Sequence, residues 1–293
     1  MRLKDKVAIV TGTRTGIGKA IALRFAREGA KVVTCIRPGK GGEDTANEIK
    51  AKGGEALFVQ CDVSCEPDVV RAVNLTVEKY GRLDIIVNNA GVNFVKPFTE
   101  TETADWDRVI NTDLRGTYFF CRYGIMQMLK NGGGSIINIT SVHTMAGLPE
   151  AAPYDAAKWG VVGMTKSLAV EFAARNIRVN ALSPGLIDTQ IWQDLMDAAA
   201  DKEECKRYWA SNIPMARPGF SEEIAAAAVF LAGDEASYCT GSNIIIDGGM
   251  TAQLVSRAGF ESEAVEGGTR GRPREASPIA APIQKDGGNG SHG

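Results

Sequence analysis

Three observations predict a doubly wound α/β fold, one parallel sheet of about seven strands with helices on both faces. The first is a short apolar run, Val7-Ala8-Ile9-Val10, that leads into glycines at 12, 16 and 18 and then into a helical pattern. The second is alternation: short apolar runs and longer helical stretches follow one another down the chain. The third is how the early runs end. They stop in small or polar residues, at Asp62-Val63 and at Asn88-Asn89-Ala90-Gly91, as strands do around a ligand crevice at their carboxyl ends.

Each element follows from local pattern. The first run is β-branched and reads as a buried strand. Residues 19–28 make a helix with Ala20, Ile21, Ala22, Leu23 and Phe25 on its apolar face. Residues 30–36 are the second strand, and Arg37-Pro38-Gly39-Lys40-Gly41-Gly42 is a loop of breakers. A helix over 43–52 turns Ala46 and Ile49 inward. The third strand starts near Leu57 and ends at Asp62-Val63. Ser64 is expected to cap the next helix, with Pro67 in its first turn and Val69, Val70, Val73 and Val77 along it. Residues 83–87 are the fourth strand. A loop then reaches Glu102, and a long helical stretch over about 103–130 carries Trp106, Val109, Ile110, Leu114, Phe119 and Met126, until Gly132-Gly133-Gly134 break it. Residues 135–141 are the fifth strand, followed by a loop through His143 and a helix over 152–174. The sixth strand, 177–182, stops at Ser183-Pro184-Gly185. Residues 186–220 are long and mixed, with Trp192, Leu195, Met196, Tyr208 and Trp209. Ser221 is expected to cap a helix over 222–232, whose first turn carries Glu as the dipole favours. The last strand, 243–246, is closed by Asp247-Gly248-Gly249.

The glycine turn has a chemical reading. Gly12 lets the chain turn sharply. Gly16 and Gly18 lack side chains where backbone must approach a pyrophosphate, and the N–H groups of the first helical turn face its charge. The spacing G-x-x-x-G-x-G is not the commoner G-x-G-x-x-G, and alone it fits any tight turn. Strand, glycine turn and helix in that order, with polar strand ends further on, point to a dinucleotide.

Composition bounds the rest. The chain has 293 residues, 44% hydrophobic, with a net charge of −2, enough for one large domain and against nucleic-acid binding. Cys35, Cys61, Cys65, Cys121, Cys205 and Cys239 form no C-x-x-C pair, and there are two histidines, so no metal site is expected. Reduced thiols suit the cytoplasm. The start, Met1-Arg2-Leu3-Lys4-Asp5-Lys6, does not read as a signal peptide, and no apolar run approaches the roughly 20 residues of a membrane span. The domain is expected over 1–251. Residues 252–293 turn to Gly, Pro, Ser and charge, and read as a disordered or partner-dependent tail.

Tyr154 and Lys158 stand four apart, so on a helix they share one face. A tyrosine ionises near pH 10, and use as a base near neutrality asks for a shift of about 3 units, or about 4 kcal/mol. A neighbouring ammonium favours the phenolate. Ser141, at the end of the preceding strand, offers a hydroxyl to a substrate oxygen. On their own these would be a helix-surface pair and a strand-end turn residue.

Thr11-Gly12-x-x-x-Gly16-Ile17-Gly18, Asn88-Asn89-Ala90-Gly91, Ser141, Tyr154-x-x-x-Lys158 and Pro184-Gly185 together resemble the short-chain dehydrogenase/reductase family, over about residues 3–251. The resemblance implies a Rossmann-like fold and a nicotinamide cofactor. It implies Tyr154 as acid/base, Lys158 on the nicotinamide ribose, and Ser141 on the reacting oxygen. Asn111, in Val109-Ile110-Asn111-Thr112-Asp113, matches the helix asparagine that supports a water-linked proton relay; otherwise it is a polar helix residue satisfied locally. Cofactor contacts are implied at Gly12, Arg14, Thr15, Gly16, Ile17, Gly18, Arg37, Asp62, Val63, Asn89, Ala90, Gly91, Tyr154, Lys158, Pro184, Gly185, Ile187 and Thr189. Asp62 would accept from the adenine amino group, and Ile187 and Thr189 would meet the carboxamide.

An acidic residue ending the second strand would repel a 2′-phosphate; here Ile36 is followed by Arg37, whose planar fork grips one. NADP is therefore expected over NAD, with Arg14 adding charge, unless both arginines are simply solvated. The reaction expected is the interconversion of a secondary alcohol and a ketone. Parts of the chain are similar to bacterial glucose dehydrogenases, through Ser141-Val142-His143 and residues 236–251, and parts to 3-oxoacyl-carrier-protein reductases; hydroxysteroid dehydrogenases share the frame. His143 reads as a loop hydrogen-bonder rather than a catalytic group. A non-catalytic nucleotide sensor or scaffold is the rival reading, and the intact Ser141, Tyr154 and Lys158 set speaks against it. The helices at 103–130 and 152–174 carry Phe119, Phe120, Tyr123, Val161, Val162 and Met164 on more than one side, and the resemblance implies a homotetramer or homodimer built on them.

Overall fold

The computed structural model describes residues 1–39 and 41–254. Seven strands, β1 (Val7–Thr11), β2 (Lys31–Ile36), β3 (Ala56–Gln60), β4 (Ile85–Asn88), β5 (Gly134–Ile139), β6 (Ile177–Pro184) and β7 (Asn243–Ile246), form one sheet in the order β3-β2-β1-β4-β5-β6-β7. Every pairing is parallel. The chain winds outward from β1 to β3 and then returns to the other side of β1 with β4. That reversal opens a crevice above the carboxyl ends of β1 and β4.

Strand residues alternate between two cores. Ala8, Val10, Val32, Ile85, Val87 and Ile137 lie under α1 (Gly16–Arg27) and, later in the chain, α9 (Ser221–Ala232), with Ile21, Phe25, Ile224 and Val229. Ile9, Val33, Ile86 and Ile136 face the other side. There they meet Val69 and Val73 of α3 (Glu66–Tyr80), Phe120 and Met128 of α5 (Gly116–Met128), and Ala169 of α6 (Ala152–Phe172). Phe25 and Phe120 are fully buried, one in each core, and each contributes about 2 to 3 kcal/mol. The short helix α2 (Asp44–Ala51) packs beside α1.

Four local expectations need correction. The helical stretch expected over 103–130 runs unbroken to Met128 but is not uniform: α4 (Thr103–Val109) passes through a wide π-helical segment, Ile110–Arg115, into α5. Ser64 does not cap α3. Its hydroxyl and N–H both turn back to Asp62, at 2.6 and 2.9 Å, and Cys65 takes the cap position. Ser221 is the first residue of α9 rather than its cap; Phe220 precedes it, and the Glu223 carboxylate accepts the Phe220 N–H at 2.7 Å. Residues 186–220 are organised, as α7 (Gln190–Ala198) and α8 (Lys202–Ser211), and an isolated parallel bridge joins Ile187 to Gly219. Trp192 and Met196 of α7 are buried.

The helix residues read as needing a second chain are largely satisfied within one. Phe119, Phe120, Val161 and Val162 are buried. The apolar side chains left exposed on α5 and α6 are Tyr118, Met126, Trp159 and Val170. The tail, from residue 255 onward, lies outside the described residues.

Candidate active site

The glycine turn is built for close backbone approach. Gly12 and Gly16 have φ of +69° and +59°, where a side chain would be strained. A Cβ on Gly18 would come within 2.4 Å of the Gly12 carbonyl oxygen, and one on Gly16 within 3.2 Å of Thr189. Thr15 stands at the cap of α1 in extended conformation, and its side chain makes no capping bond. Arg14 is exposed and Ile17 packs against the core. The first turn of α1 contains no acid, so its N–H groups and dipole face the crevice without a resident anion.

The end of β4 braces this turn. Thr11 Oγ1 accepts the N–H groups of Asn89 and Ala90, each at 2.9 Å. The Asn89 side chain donates to the oxygens of Thr11 and Gly12, so it shapes the turn from behind. Among the outer cofactor candidates, Arg37 is exposed just past β2. One Asp62 oxygen is occupied by Ser64, and Val63 is buried against Gly116. Gly185 lies against Asp247, since a Cβ there would reach its Cα at 2.7 Å. The Ile187 side chain is in the core, which leaves its backbone for any ligand contact, whereas Thr189 overhangs the glycine turn. These residues fit a dinucleotide: a glycine cradle, a helix N-terminus free of acids and an arginine at the end of β2.

Ser141 ends β5's run and is buried, and its Oγ accepts the His143 N–H at 3.3 Å, which leaves the hydroxyl proton to donate. The His143 ring meets the Tyr154 ring edge-on, with centroids 5.2 Å apart. His143 Nδ1 bonds Asp155 at 2.5 Å. Tyr154 lies in the first turn of α6, and Lys158 follows one turn later with its Nζ 5.3 Å from the Tyr154 ring centroid. Lys158 is buried, and its Nζ also reaches the Ile139 oxygen at 3.4 Å.

Lys158 pairs with a residue that no sequence motif marks. Asp113 lies two residues beyond Asn111, with a fully buried side chain, and its Oδ2 is 3.0 Å from Lys158 Nζ. Its Oδ1 accepts the Val92 N–H at 2.8 Å. Burial is the largest influence and works to lower the lysine pKa, but the charges of Asp113 and Tyr154 and the bond to Asp113 together outweigh it and hold Lys158 above the ordinary 10.5. Asn111 is half-buried, and its main-chain oxygen accepts the Gly116 N–H across the wide turn. The sequence signal was weak: two polar residues two apart, with nothing local to say which turns inward.

A buried hydroxyl, a tyrosine met edge-on by a histidine and a buried lysine ion pair thus sit together beside the glycine turn. The family profile described as enoyl-(acyl carrier protein) reductase matches residues 12–251. The chain is 41% identical over 252 residues to glucose 1-dehydrogenase 2 of Bacillus subtilis, covering 85% of this chain and 96% of that one. It is 40% identical over 250 residues to a 3-oxoacyl-[acyl-carrier-protein] reductase of Thermotoga maritima, covering 85% and 99%. A short-chain type dehydrogenase/reductase from Mycobacterium marinum superposes with a TM-score of 0.80 at 35% identity, over 86% of this chain and 97% of that one. The chain belongs to the short-chain dehydrogenase/reductase family, and is an oxidoreductase of it.

Proposed function

We propose that the protein is an NADP-linked enzyme that interconverts a secondary alcohol and a ketone, with Tyr154 as acid/base. The observation that carries this reading is the placement of Tyr154 between His143 of the Ser141 turn and the charged Lys158. A bound nicotinamide would supply the chain with hydride chemistry, its reduced form giving the hydride in reduction and its oxidised form taking it in oxidation. Ser141 holds the substrate oxygen through its hydroxyl. In reduction, the Tyr154 O–H bond breaks and its proton goes to that oxygen; in oxidation it returns. Gly12, Gly16, Gly18 and the α1 N-terminus hold the pyrophosphate, and Arg37 the 2′-phosphate, with Arg14 beside it. Lys158 orients the ribose and keeps a positive charge beside the phenol.

With Nδ1 engaged by Asp155, Nε2 is the His143 ring nitrogen left for a substrate hydroxyl. That supports a polyhydroxylated substrate, such as the sugar in the name of the Bacillus relative, over a steroid. Six unpaired cysteines support a reducing, cytoplasmic setting. A panel of sugars, polyols, 3-oxoacyl esters and hydroxysteroids, each assayed with both cofactors, tests the proposal. Turnover of hydroxylated substrates with NADP is expected. Tight cofactor binding with no turnover of any substrate would favour a nucleotide sensor instead.

A further inference from the structure

We propose that the Asp113 carboxylate, ion-paired with Lys158 in the protein interior, keeps the Tyr154/Lys158 pair protonated near neutral pH and so makes the resting site a proton donor, poised for ketone reduction. The inference rests on Tyr154 being the acid/base, and adds a residue that acts through Lys158 and touches no substrate.

The geometry carries it. Both charges are buried and in contact, at 3.0 Å, where solvent screens them little. Asp113 is fixed from two sides. The wide turn Ile110–Arg115 directs it inward, and Val92 N–H holds its second oxygen. Room for the pair comes from Gly91, where a Cβ would lie 2.7 Å from Asp113 Oδ2 and 3.4 Å from Lys158 Nζ. The loop that ends β4 is thus shaped around the ion pair.

The consequence is electrostatic. A lone ammonium beside Tyr154 would draw the phenol proton off. An ammonium already neutralised by Asp113 does so less, because a phenolate then joins a pair of net charge zero. The other titratable groups facing this pair are His143, on the Tyr154 ring, and Asp155, bonded to His143. The charges on the neighbouring elements are Asp105, paired with Lys96, Asp107, Arg108, whose guanidinium lies over Phe94, and Arg115 at the end of the wide turn. None of these touches Asp113, so removing its charge isolates its effect.

The test is Asp113→Asn, which keeps the shape and an oxygen for the Val92 N–H. With cofactor saturating, the alkaline rise of alcohol oxidation should move to lower pH by about 1 unit or more, and ketone reduction should fall off earlier by the same amount. Without cofactor, the Tyr154 phenolate absorption, read as the difference from the matching Tyr154→Phe protein, should also start at lower pH. Asp113→Ser removes the same charge with less bulk and should behave alike. Unchanged profiles in a folded variant would overturn the proposal. So would failure of both variants to fold, which would make the ion pair purely structural. If no substrate turns over but the phenolate onset still moves, the proposed activity fails while the Asp113 assignment stands.

Discussion

The Asn89 side-chain amide donates to the main-chain oxygens of both Thr11 and Gly12, at 2.9 and 3.2 Å, and so ties the end of β4 to the turn that follows β1. The cradle is held from the neighbouring strand rather than by its own glycines. Asn89→Ala should cost about 1 to 2 kcal/mol of stability, for two bonds of about 0.5 to 1.5 kcal/mol each. It should also weaken cofactor binding more than it lowers turnover at saturation. Asn89→Asp should be worse, because a carboxylate would face two carbonyl oxygens. Urea melts and cofactor titration of both variants check this; a full loss of turnover at saturating cofactor would place Asn89 in the chemistry instead.

Arg37 is exposed just beyond the buried Ile36, at the end of β2. Arg37→Asp should shift preference from NADP toward NAD by 10-fold or more, about 1.4 kcal/mol. Most of the change should appear in KM for the cofactor. Steady-state kinetics with both cofactors decide it, and a wild type that prefers NAD would refute the assignment.

Much of the fold was legible because each strand carries its own address. Ala8, Val10 and Ile9 are all apolar, since both faces of the sheet are covered, and the glycine turn marks where the first strand ends. The motif residues fell where the topology places ligands. What stayed hidden depends on geometry that no local pattern encodes. The wide turn Ile110–Arg115 alters the helix period, and it is Asp113 that meets Lys158. Phe119 and Val162 looked like surplus apolar surface, yet their own domain buries them. One miss was avoidable: Asp201 caps α8 by accepting the N–H groups of Glu203 and Glu204, and an Asp followed by acidic first-turn residues signals a helix start.

The outer faces of α5 and α6 make a third prediction. Tyr118, Met126, Trp159 and Val170 are exposed there, with Val170 84% accessible. We expect these faces to join copies of the chain into a dimer or tetramer. Val170→Glu with Trp159→Glu should lower the mass seen by light scattering at micromolar concentration. A wild type that is monomeric under those conditions would sink the idea.

Lys158 and Asp113 should couple strongly. Lys158→Met strands a buried carboxylate and should cost about 3 to 5 kcal/mol. Adding Asp113→Asn should restore a large part of it, so the two changes are not additive. The pH dependence follows from the raised Lys158 pKa. A cation bound more tightly in the folded state stabilises fully below the unfolded lysine value, near 10.5, and that contribution is lost as pH climbs through the higher folded value. The wild type's advantage over Lys158→Met/Asp113→Asn should therefore be flat from neutrality to about pH 10 and shrink above it. Denaturant melts across that range give the cycle; additive single effects would show that the charges do not interact.

The last prediction concerns the proton itself. Tyr154→Phe removes one hydroxyl and keeps the ring that meets His143 edge-on, so folding and cofactor binding should survive. The chemical step should fall by about 10² to 10⁴, as for a lost general acid–base. Ser141→Ala removes the hydroxyl expected to hold the substrate oxygen. It should lower the rate while leaving cofactor affinity and the position of the alkaline limb in place, because Ser141 orients and does not titrate. Lys158→Arg keeps a charge but not the compact ammonium that fits beside Asp113, and should weaken cofactor binding most. Single-turnover hydride transfer, followed by loss of reduced-nicotinamide absorbance at saturating cofactor, separates the three. Near-normal turnover in Tyr154→Phe would mean that another group moves the proton. His143 meets the Tyr154 ring, and the mechanism would then have to be rebuilt around its bond to Asp155.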